Sequence, residues 1–450
     1  MSKASDLRIE TVTLAFRDER LAVPLHLSRG VITEVTYAKV VVQGRTQAGQ
    51  PTQGTGAIPL SDLWAFPHPV YSHEQKDAAM RALCEAIAAY LKTDADYSDP
   101  LEKGHQLEQT LPTLVQRVEQ TLPFLEPGVM PYLAALNCLA AFDAAVHDAW
   151  GRALGGSSYA FYAAPWLNAD LGVYLGSDFQ GRYPAEFLRE RRRKVGVQHV
   201  VGMSDALVPT PVNGAPKPLN DLPQDLISWI ARDGINAFKV KARGQDPAID
   251  AQRLNAVYAT ALAAGIQPHH IHLSIDTNEA CSGPDFLLEM LDYMAHESPG
   301  ALAALDYIEQ PTARDLSTYT FTLHQVAQRK PVIIDESLDK LENLARLEPL
   351  GWSGLALKTC KGQTHSLLAY CWGKQHNLYV TLQDLTNPGL SLVHSANLAA
   401  HLDLATRYFE TNSRQFMPQA CPEEQVEFPA YFRVHGGSLH LPNSEPLGLY

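Results

Sequence analysis

The chain has few cysteines, six in 450 residues, and they are scattered rather than grouped. They are Cys84, Cys138, Cys281, Cys360, Cys371 and Cys421, and no two of them have the Cys-x-x-Cys spacing. This spacing disfavours a structural zinc site and gives no sign of a disulfide framework. We therefore expect free thiols in a reducing compartment, which indicates a cytoplasmic protein.

Excess positive charge and long apolar runs are also lacking. The formal net charge is −13, whereas a nucleic-acid partner requires a basic surface. No apolar run approaches the length that crosses a bilayer, and the opening MSKASDLRIE lacks the apolar stretch of a signal peptide. We therefore expect neither nucleic acid nor membrane as a partner, which leaves a cytoplasmic enzyme or a binding protein.

Length and composition indicate a globular protein with two domains, because 450 residues exceed one average hydrophobic core. Residues 1–156 predict an α+β domain. Its strands are expected at 7–16 and 31–43, a turn at 44–56, helices at 73–92 and 131–154, and a polar segment at 93–110.

Residues 198–419 alternate short apolar strands with amphipathic helices. Strands are predicted at 198–202, 235–241, 271–276, 305–309, 331–335, 354–358, 377–383 and 405–410, with helices such as 247–264 and 316–329 between them. This rhythm favours the α/β class and a TIM-type barrel of parallel strands over an open sheet. Residues 157–197 are predicted as an insertion or linker whose basic run is a solvated face, and residues 420–450 as a tail that returns to the first domain.

Two lysines, Lys239 and Lys241, lie two residues apart in the apolar run 235–242. In a strand both side chains point to the same face. Two cations on a buried face do not stabilise packing, so something anionic is expected opposite them.

Charged residues close the following strands as well, and in a barrel of this type the site forms at those carboxyl ends. They are Asp276, Glu309, Asp335 and Lys358. Three carboxylates from neighbouring strands suit a hard divalent cation, Mg²⁺ first, with Mn²⁺ as an alternative. Strand alternation predicts that Asp335 and Glu336 point to opposite sides, so Asp335 is the expected ligand. Glu336, beside the site, and Asn278, beside Asp276, are candidate supporting or substrate-binding residues.

Lys241 and Lys358 come from the second and sixth strands, so they are expected on opposite sides of the barrel. A metal-bound carboxylate acidifies its own α-carbon, because the cation stabilises the enediolate that forms on proton loss. One lysine then removes the proton and the other donates to the opposite face. Lys239 is expected to lower the pKa of the Lys241 base by charge repulsion and to meet the substrate carboxylate.

The order Lys-x-Lys, Asp, Glu, Asp, Lys on successive strand ends resembles the enolase superfamily, and within it the muconate-lactonizing-enzyme-like subgroup. Helix 138–154, the segment GLALKTCKGQT and the tail GGSLHLPNSEPLGLY resemble the family's helix before the barrel, sixth-strand motif and closing segment. The resemblance implies a (β/α)7β barrel with an N-terminal α+β capping domain completed by the C-terminal tail. It also implies that Mg²⁺ is bound by Asp276, Glu309 and Asp335, with Lys241 and Lys358 as acid–base catalysts.

The last two strand ends depart from other subgroups. Gln383 ends strand seven where a mandelate-racemase-type site would have histidine, and strand eight ends in Glu410-Thr411-Asn412 where dipeptide epimerases tend to have Asp-x-Asp. Gln383 and Glu410 are candidate supporting or substrate-binding residues, with Glu410 a candidate for binding a cationic substrate group. The loop 27–30 matches the place where such enzymes close over substrate, so Arg29 is a candidate contact for a second anionic group.

The resemblance implies a Mg²⁺-dependent isomerase, a racemase or epimerase, that acts on a small-molecule carboxylate. A lyase or cycloisomerase of the o-succinylbenzoate synthase or muconate cycloisomerase type is the alternative on the same scaffold. A non-catalytic ligand-binding barrel is a more remote one. Since such barrels commonly assemble, a homo-oligomer is expected.

Overall fold

The computed structural model describes residues 2–27, 30–209 and 222–450. The N-terminal part is a three-stranded antiparallel sheet backed by helices. Its elements are β1 (Leu7–Leu27), β2 (Gly30–Thr46), β3 (Pro51–Leu60), α1 (Asp62–Ala65), α2 (His73–Thr93), α3 (Pro100–Thr121) and α4 (Tyr132–Ala153). The β1–β2 pairing extends from Leu7 opposite Thr46 to Leu27 opposite Gly30, so this hairpin is much longer than the two predicted strands.

The predicted turn over 44–56 is wrong, because its second half belongs to β3. Gly54 and Gly56 there serve helix packing: a Cβ at Gly56 would lie 2.0 Å from the carbonyl oxygen of Ala141 in α4, and one at Gly54 2.2 Å from that of Ala145. Such close approach of sheet and helix requires glycine. The alanine-rich α4 is thereby buried along most of its length.

The polar segment predicted at 93–110 is also corrected, since most of it lies in α3. Asp99 caps this helix by accepting a hydrogen bond from the amide of Glu102 at 3.0 Å, and Pro100 occupies its first position. Leu107 and Leu111 of α3 are buried, and so are three of its charged residues, Lys103, Glu108 and Glu119. The predicted α+β character of this part is confirmed.

Eight parallel strands form the closed barrel, with β11 pairing back to β4. They are β4 (Lys194–Val201), β5 (Ala237–Lys241), β6 (His272–Asp276), β7 (Leu305–Glu309), β8 (Val332–Ile334), β9 (Gly354–Lys358), β10 (Tyr379–Gln383) and β11 (Tyr408–Glu410). All eight predicted strands are present, although β4 begins four residues early and β8 and β11 are shorter than predicted.

Helices connect and surround the strands. They are α5 (Gly172–Leu175), α6 (Leu226–Asp233), α7 (Pro247–Ala263), α8 (Pro284–Glu297), α9 (Pro299–Ala304), α10 (His324–Ala327), α11 (Leu347–Leu350), α12 (Gln363–Gln375), α13 (Gly389–His401), α14 (Ser413–Phe416) and α15 (Pro422–Glu427). The helix predicted over 316–329 is wrong, because only α10 and a short 3₁₀ turn form there. Its residues 317–322, STYTFT, are β-branched, aromatic or hydroxylated, which disfavours a helix. Among the described residues no helix is long and apolar enough to cross a membrane.

The tail joins the barrel to the capping sheet and its helices. Strands β12 (Val434–His435) and β13 (Ser438–His440) form a hairpin, and β13 pairs antiparallel with β4. Beyond it, the Leu449 amide donates to Asp148 of α4 at 3.0 Å. The basic run also contributes here: Arg191 donates to the carbonyl oxygens of Pro442 at 2.8 Å and Ser444 at 3.2 Å.

Replacing Arg191 with alanine removes these bonds and two further ones, to the Tyr431 hydroxyl at 3.1 Å and to Asn397 Oδ1 at 3.3 Å. We expect the unfolding free energy to fall by about 1–3 kcal/mol, because carbonyl groups lose a charged donor. Urea unfolding measures it. The exposed Arg193 is the matched control, and Arg193→Ala is expected to change stability by less than about 0.5 kcal/mol. Equal losses in the two variants would show that Arg191 does not fasten the tail.

Candidate active site

The charged residues that close the strands meet at one end of the barrel. Lys241 pairs in register with Asp276, and Asp276 with Glu309, so β5, β6 and β7 end at one level. Asp335 directly follows β8, and Lys358 is the last residue of β9. The three carboxylate residues are at most 1% exposed. A dense group of charges is therefore enclosed by barrel and capping sheet.

Lys239 lies at the centre of this group. Its Nζ is 2.7 Å from Glu309 Oε1, 3.0 Å from Glu410 Oε2 and 3.1 Å from Asp276 Oδ2, and it also donates to Gln383 Oε1 at 3.1 Å. Burial alone would lower the pKa of Lys239, but the three carboxylates raise it well above its usual value. The ammonium group is therefore a permanent cation, and its partners here are carboxylates of the protein itself.

Lys241 points to the same side of β5 as Lys239, since both ammonium groups contact Asp276 Oδ2. Its Nζ is 2.5 Å from that oxygen and 3.1 Å from Asn278 Oδ1. The two lysines differ in access, because the Lys239 side chain is 1% exposed and that of Lys241 is 13% exposed. Lys241 is thus the member of the pair that a bound molecule can reach more readily.

Lys358 is held by the third carboxylate and by an aromatic ring of the capping domain. Its Nζ is 2.8 Å from Asp335 Oδ2 and 5.1 Å from the ring centroid of Trp64. Burial opposes the charged form, yet Asp335 raises the pKa of Lys358 above its usual value. Two residues here, Trp64 and Lys361, are not predicted by the sequence pattern. The Lys361 Nζ donates to the main-chain oxygen of Asp335 at 2.6 Å and contacts its Oδ1 at 3.2 Å.

Glu336 also belongs to this site, although strand alternation placed it on the opposite side. Alternation does not apply, because β8 ends at Ile334. Glu336 Oε1 accepts from Trp64 Nε1 at 3.2 Å and from Asn278 Nδ2 at 3.4 Å. Its other oxygen, Oε2, is buried and has no hydrogen-bond partner among the described residues. Burial, with Asp335 close by, raises the pKa of Glu336 to about 8.

Gln383 and Glu410 end β10 and β11 and are both buried beside the Lys239 cluster. Gln383 Nε2 donates to Glu309 Oε2 at 2.5 Å, and Glu410 is paired with Lys239. Both are at most 4% exposed. Arg29, the remaining candidate, lies outside the described residues.

A cavity opens between the capping hairpin and these strand ends. Its apolar wall comes from the hairpin, from α1 and from the loop after β10. The lining includes Leu21, Leu25, Ile32, Val35, Trp64, Lys239, Lys241, Asn278, Lys358, Asp384, Leu385, Glu410 and Asn412. The cavity therefore offers lysine ammonium groups at its base and an apolar surface above them.

The carboxylates suit a divalent cation in their chemistry. Asp276, Glu309 and Asp335 supply oxygen donors from three adjacent strands, which Mg²⁺ and Mn²⁺ prefer. Burial and the neighbouring Asp276 and Asp335 raise the pKa of Glu309 to about 7, partly offset by Lys239. Asp335 Oδ2 has an ion pair but lacks a hydrogen bond within the described chain. In this arrangement the lysines pair with the carboxylates. Among the described residues, no three Asp, Glu, His or Cys side chains converge closely enough to hold a metal ion.

Comparison with known proteins agrees with this architecture. Residues 222–449, about half of the chain, match the family model described as enolase C-terminal domain-like. Among solved structures, the L-Ala-D/L-Glu epimerase of Bacillus subtilis is 14% identical with a TM-score of 0.64, covering 98% of both chains. The muconate lactonizing enzyme of Pseudomonas fluorescens is 17% identical with a TM-score of 0.61, covering 98% of this chain and 96% of that one.

A dipeptide epimerase from Cytophaga hutchinsonii, solved with Mg and D-Ala-L-Val, is also similar, at 17% identity and a TM-score of 0.61. The alignment covers 98% of this chain and 95% of that one. Comparison with curated protein sequences gave no significant match. At these identities the solved structures establish the fold, whereas the family model identifies the superfamily.

The raised pKa of Glu336 predicts a pH-dependent stability. Because its folded-state pKa of about 8 lies above its usual 4.5, the metal-free protein loses stability as pH rises through that window. Glutamine cannot ionise, so we expect the free energy of unfolding of Glu336→Gln, relative to wild type, to rise between about pH 5 and pH 8. Urea unfolding across this range measures it.

The matched control is Glu342→Gln at an exposed site, which should follow the wild-type pH dependence. Parallel curves for Glu336→Gln and wild type would mean that Glu336 ionises in the folded protein without penalty.

Proposed function

Since this chain belongs to the enolase superfamily, we propose that it is an enzyme that removes the α-proton of a carboxylate substrate with the aid of a divalent cation. We propose racemisation or epimerisation as the reaction. The observation that supports it best is the placement of Lys241 and Lys358. Both line one cavity, and they come from β5 and β9, four strands apart in a closed barrel of eight. Two opposed amines are what proton transfer between two faces of one carbon requires.

Asp276, Glu309 and Asp335 would hold the cation, Mg²⁺ or Mn²⁺. When bound, it would stabilise the negative charge that develops on the substrate carboxylate as the α-proton leaves. The Lys239 ammonium group, held behind these carboxylates, keeps Glu309 and Glu410 in place. We propose that its positive charge also helps to attract the substrate carboxylate.

Lys241 is the proposed base. It is the more exposed lysine of its pair and its Nζ lies beside the carboxylate end of β6. Lys358 is the proposed proton donor on the opposite side, because Asp335 and the face of Trp64 both stabilise its ammonium form. We further propose that the enzyme acts in the cytoplasm as a homo-oligomer.

One observation favours a second candidate, a lyase or cycloisomerase. In the reverse direction of a racemisation Lys358 must act as a base, but Asp335 raises its pKa above the usual value. A Lys358 that stays charged would only stabilise the intermediate, which is sufficient for elimination or cyclisation with Lys241 as the single base.

Solvent-exchange measurements test the proposal and separate the two candidates. The Mg²⁺-loaded protein is incubated in D₂O with dipeptides, N-acyl amino acids and sugar acids, and α-carbon deuterium is measured by mass spectrometry and NMR. For racemisation we expect deuterium in recovered substrate and its stereoisomer, and loss of more than about 10³-fold of the rate in Lys241→Ala and Lys358→Ala. An unsaturated or cyclised product favours the lyase or cycloisomerase.

The surface variant Lys374→Ala is the control, since this lysine pairs only with Asp403 among the described groups and should leave the rate unchanged. Full activity in both Lys241→Ala and Lys358→Ala would refute the acid–base assignment. The absence of α-carbon exchange with every substrate tested would favour a non-catalytic binding barrel.

The Lys361 contact predicts an effect on metal affinity. In Lys361→Met the Asp335 carboxylate loses one of its two ammonium partners. The main-chain oxygen of Asp335, just after β8, loses its hydrogen bond from Lys361 as well. We expect Mg²⁺ affinity, measured by isothermal titration calorimetry, to fall by about 10- to 100-fold, as is usual when a group that orients a ligand is lost. Lys340→Met, in the loop after β8, serves as the control. Unchanged affinity in Lys361→Met would show that Asp335 needs no orienting partner.

A further inference from the structure

A second cavity adjoins the segment that follows β11. It has a volume of about 510 Å³ and is bordered by the end of α6, the start of α13, α14 and the tail. Successive residues of one segment line the two cavities in turn: Glu410 and Asn412 line the active-site cavity, whereas Thr411 and Ser413 line the second one. The two cavities are therefore neighbours, but they have no described lining residue in common.

Hydrogen bonds to the backbone hold two walls of the second cavity. In the hairpin of β12 and β13, the Gly437 amide donates to the main-chain oxygen of Asp233 at 2.8 Å. Elsewhere in the tail, Gln425 Nε2 donates to the main-chain oxygens of Pro418 at 3.0 Å and Ala420 at 2.7 Å. The cavity is therefore built by tied segments of the fold.

The charge of the lining favours an anion. Arg232 Nε donates to Asp233 Oδ1 at 2.7 Å and Arg414 Nε donates to Asp233 Oδ2 at 2.9 Å, so two guanidinium groups share one carboxylate. Arg433 lines the same cavity and has no ion pair among the described residues, and Asp233 is the only carboxylate in the described lining. Three guanidinium groups thus face one carboxylate, in a protein whose formal net charge is −13.

The buried guanidinium group of Arg414 is the most costly of these charges, since its side chain is only 11% exposed. Burial lowers the pKa of Arg414 and the positive charge of Arg232 adds to this effect, although Asp233 and Asp384 oppose it. A buried charge is stabilised when it is paired, and guanidinium groups pair well with carboxylates and phosphates. An anion beside the two arginines would supply the counter-charge that they now share.

We propose that this cavity is a second ligand site, separate from the substrate site, for an anion with an apolar body, a carboxylate or phosphate carried on a hydrocarbon chain or ring. Arg232 and Arg433 would bind the anionic head group. The apolar wall would contact the body of the ligand and comprises Leu392, Met417, Phe432, Val434 and Leu439. The cavity volume lies within the usual range of small-molecule sites, about 300–1,000 Å³. The inference does not depend on the proposed reaction, because neither Lys241 nor Lys358 is among the described residues that line this cavity.

Matched probes test the site by calorimetric titration into the full-length, Mg²⁺-loaded protein. The probes are octanoate, octyl phosphate and the neutral octanamide, which have the same chain length. We expect at least one of the two anions to bind about tenfold or more tightly than octanamide, because hydrogen bonds between guanidinium groups and an anion are charge-assisted. The anion that binds more tightly identifies the head group as a carboxylate or a phosphate.

Variants assign the binding to this cavity. Arg232→Gln and Arg433→Gln should each weaken anion binding by about three- to tenfold and leave octanamide unchanged, since both side chains are partly in water. Arg407→Gln, exposed and outside the cavity, is the charge-matched control and should have no effect. Lys241→Ala removes an ammonium group from the active-site cavity and should leave this binding unchanged. Thermal unfolding followed by circular dichroism confirms that each variant is folded.

Three results would overturn the second site. The first is octanamide binding as tightly as both anions, and the second is no binding of any probe up to about 5 mM. The third is anion binding that is lost in Lys241→Ala but unchanged in folded Arg232→Gln and Arg433→Gln, which would place the anion at the active-site lysines. The proposed function is judged separately by α-carbon exchange, so either proposal can fail while the other stands.

Discussion

The interaction on which the barrel end depends is the ion cluster around the Lys239 ammonium group. It touches carboxylates from β6, β7 and β11, and therefore links strands on both sides of β5. Removing one partner of a buried ion group leaves unpaired charge and costs about 3–5 kcal/mol. The carboxylates of Glu309, Glu410 and Asp276 are held together at the same depth because they share this one cation.

The burial of this ion cluster also explains what the capping domain contributes to the site. The barrel alone would leave its charged end open to water, which weakens every electrostatic interaction there. The hairpin of β1 and β2 covers it with apolar side chains, and Trp64 adds both a hydrogen bond to Glu336 and a π face for Lys358. Arg314 donates to the Trp64 carbonyl oxygen at 3.3 Å, so the tryptophan is tied to the barrel. Cap and barrel thus build one site together.

Much of the barrel and of its charged residues could be predicted from sequence, because functional residues of such a barrel lie where its strands end. Lys241, Asp276 and Lys358 each close an apolar run, and a local pattern is sufficient to find them. Trp64 could not be predicted, because it is far from the barrel motifs in sequence and contacts Lys358 and Glu336 only in the folded protein. Glu336 was assigned the wrong direction for a different reason: it lies beyond the end of β8, where strand alternation no longer gives the direction of a side chain.

The most direct test of the central claim is to locate a metal ion in this site. Crystals of Mn²⁺-loaded protein, measured near the manganese absorption edge, give an anomalous signal that no protein atom mimics. We expect one strong peak between Asp276, Glu309 and Asp335, at about 2.0–2.3 Å from their carboxylate oxygens, with Lys241 and Lys358 on opposite sides. A peak elsewhere in the cavity, for example beside Glu336, or no peak at saturating Mn²⁺, would contradict this site.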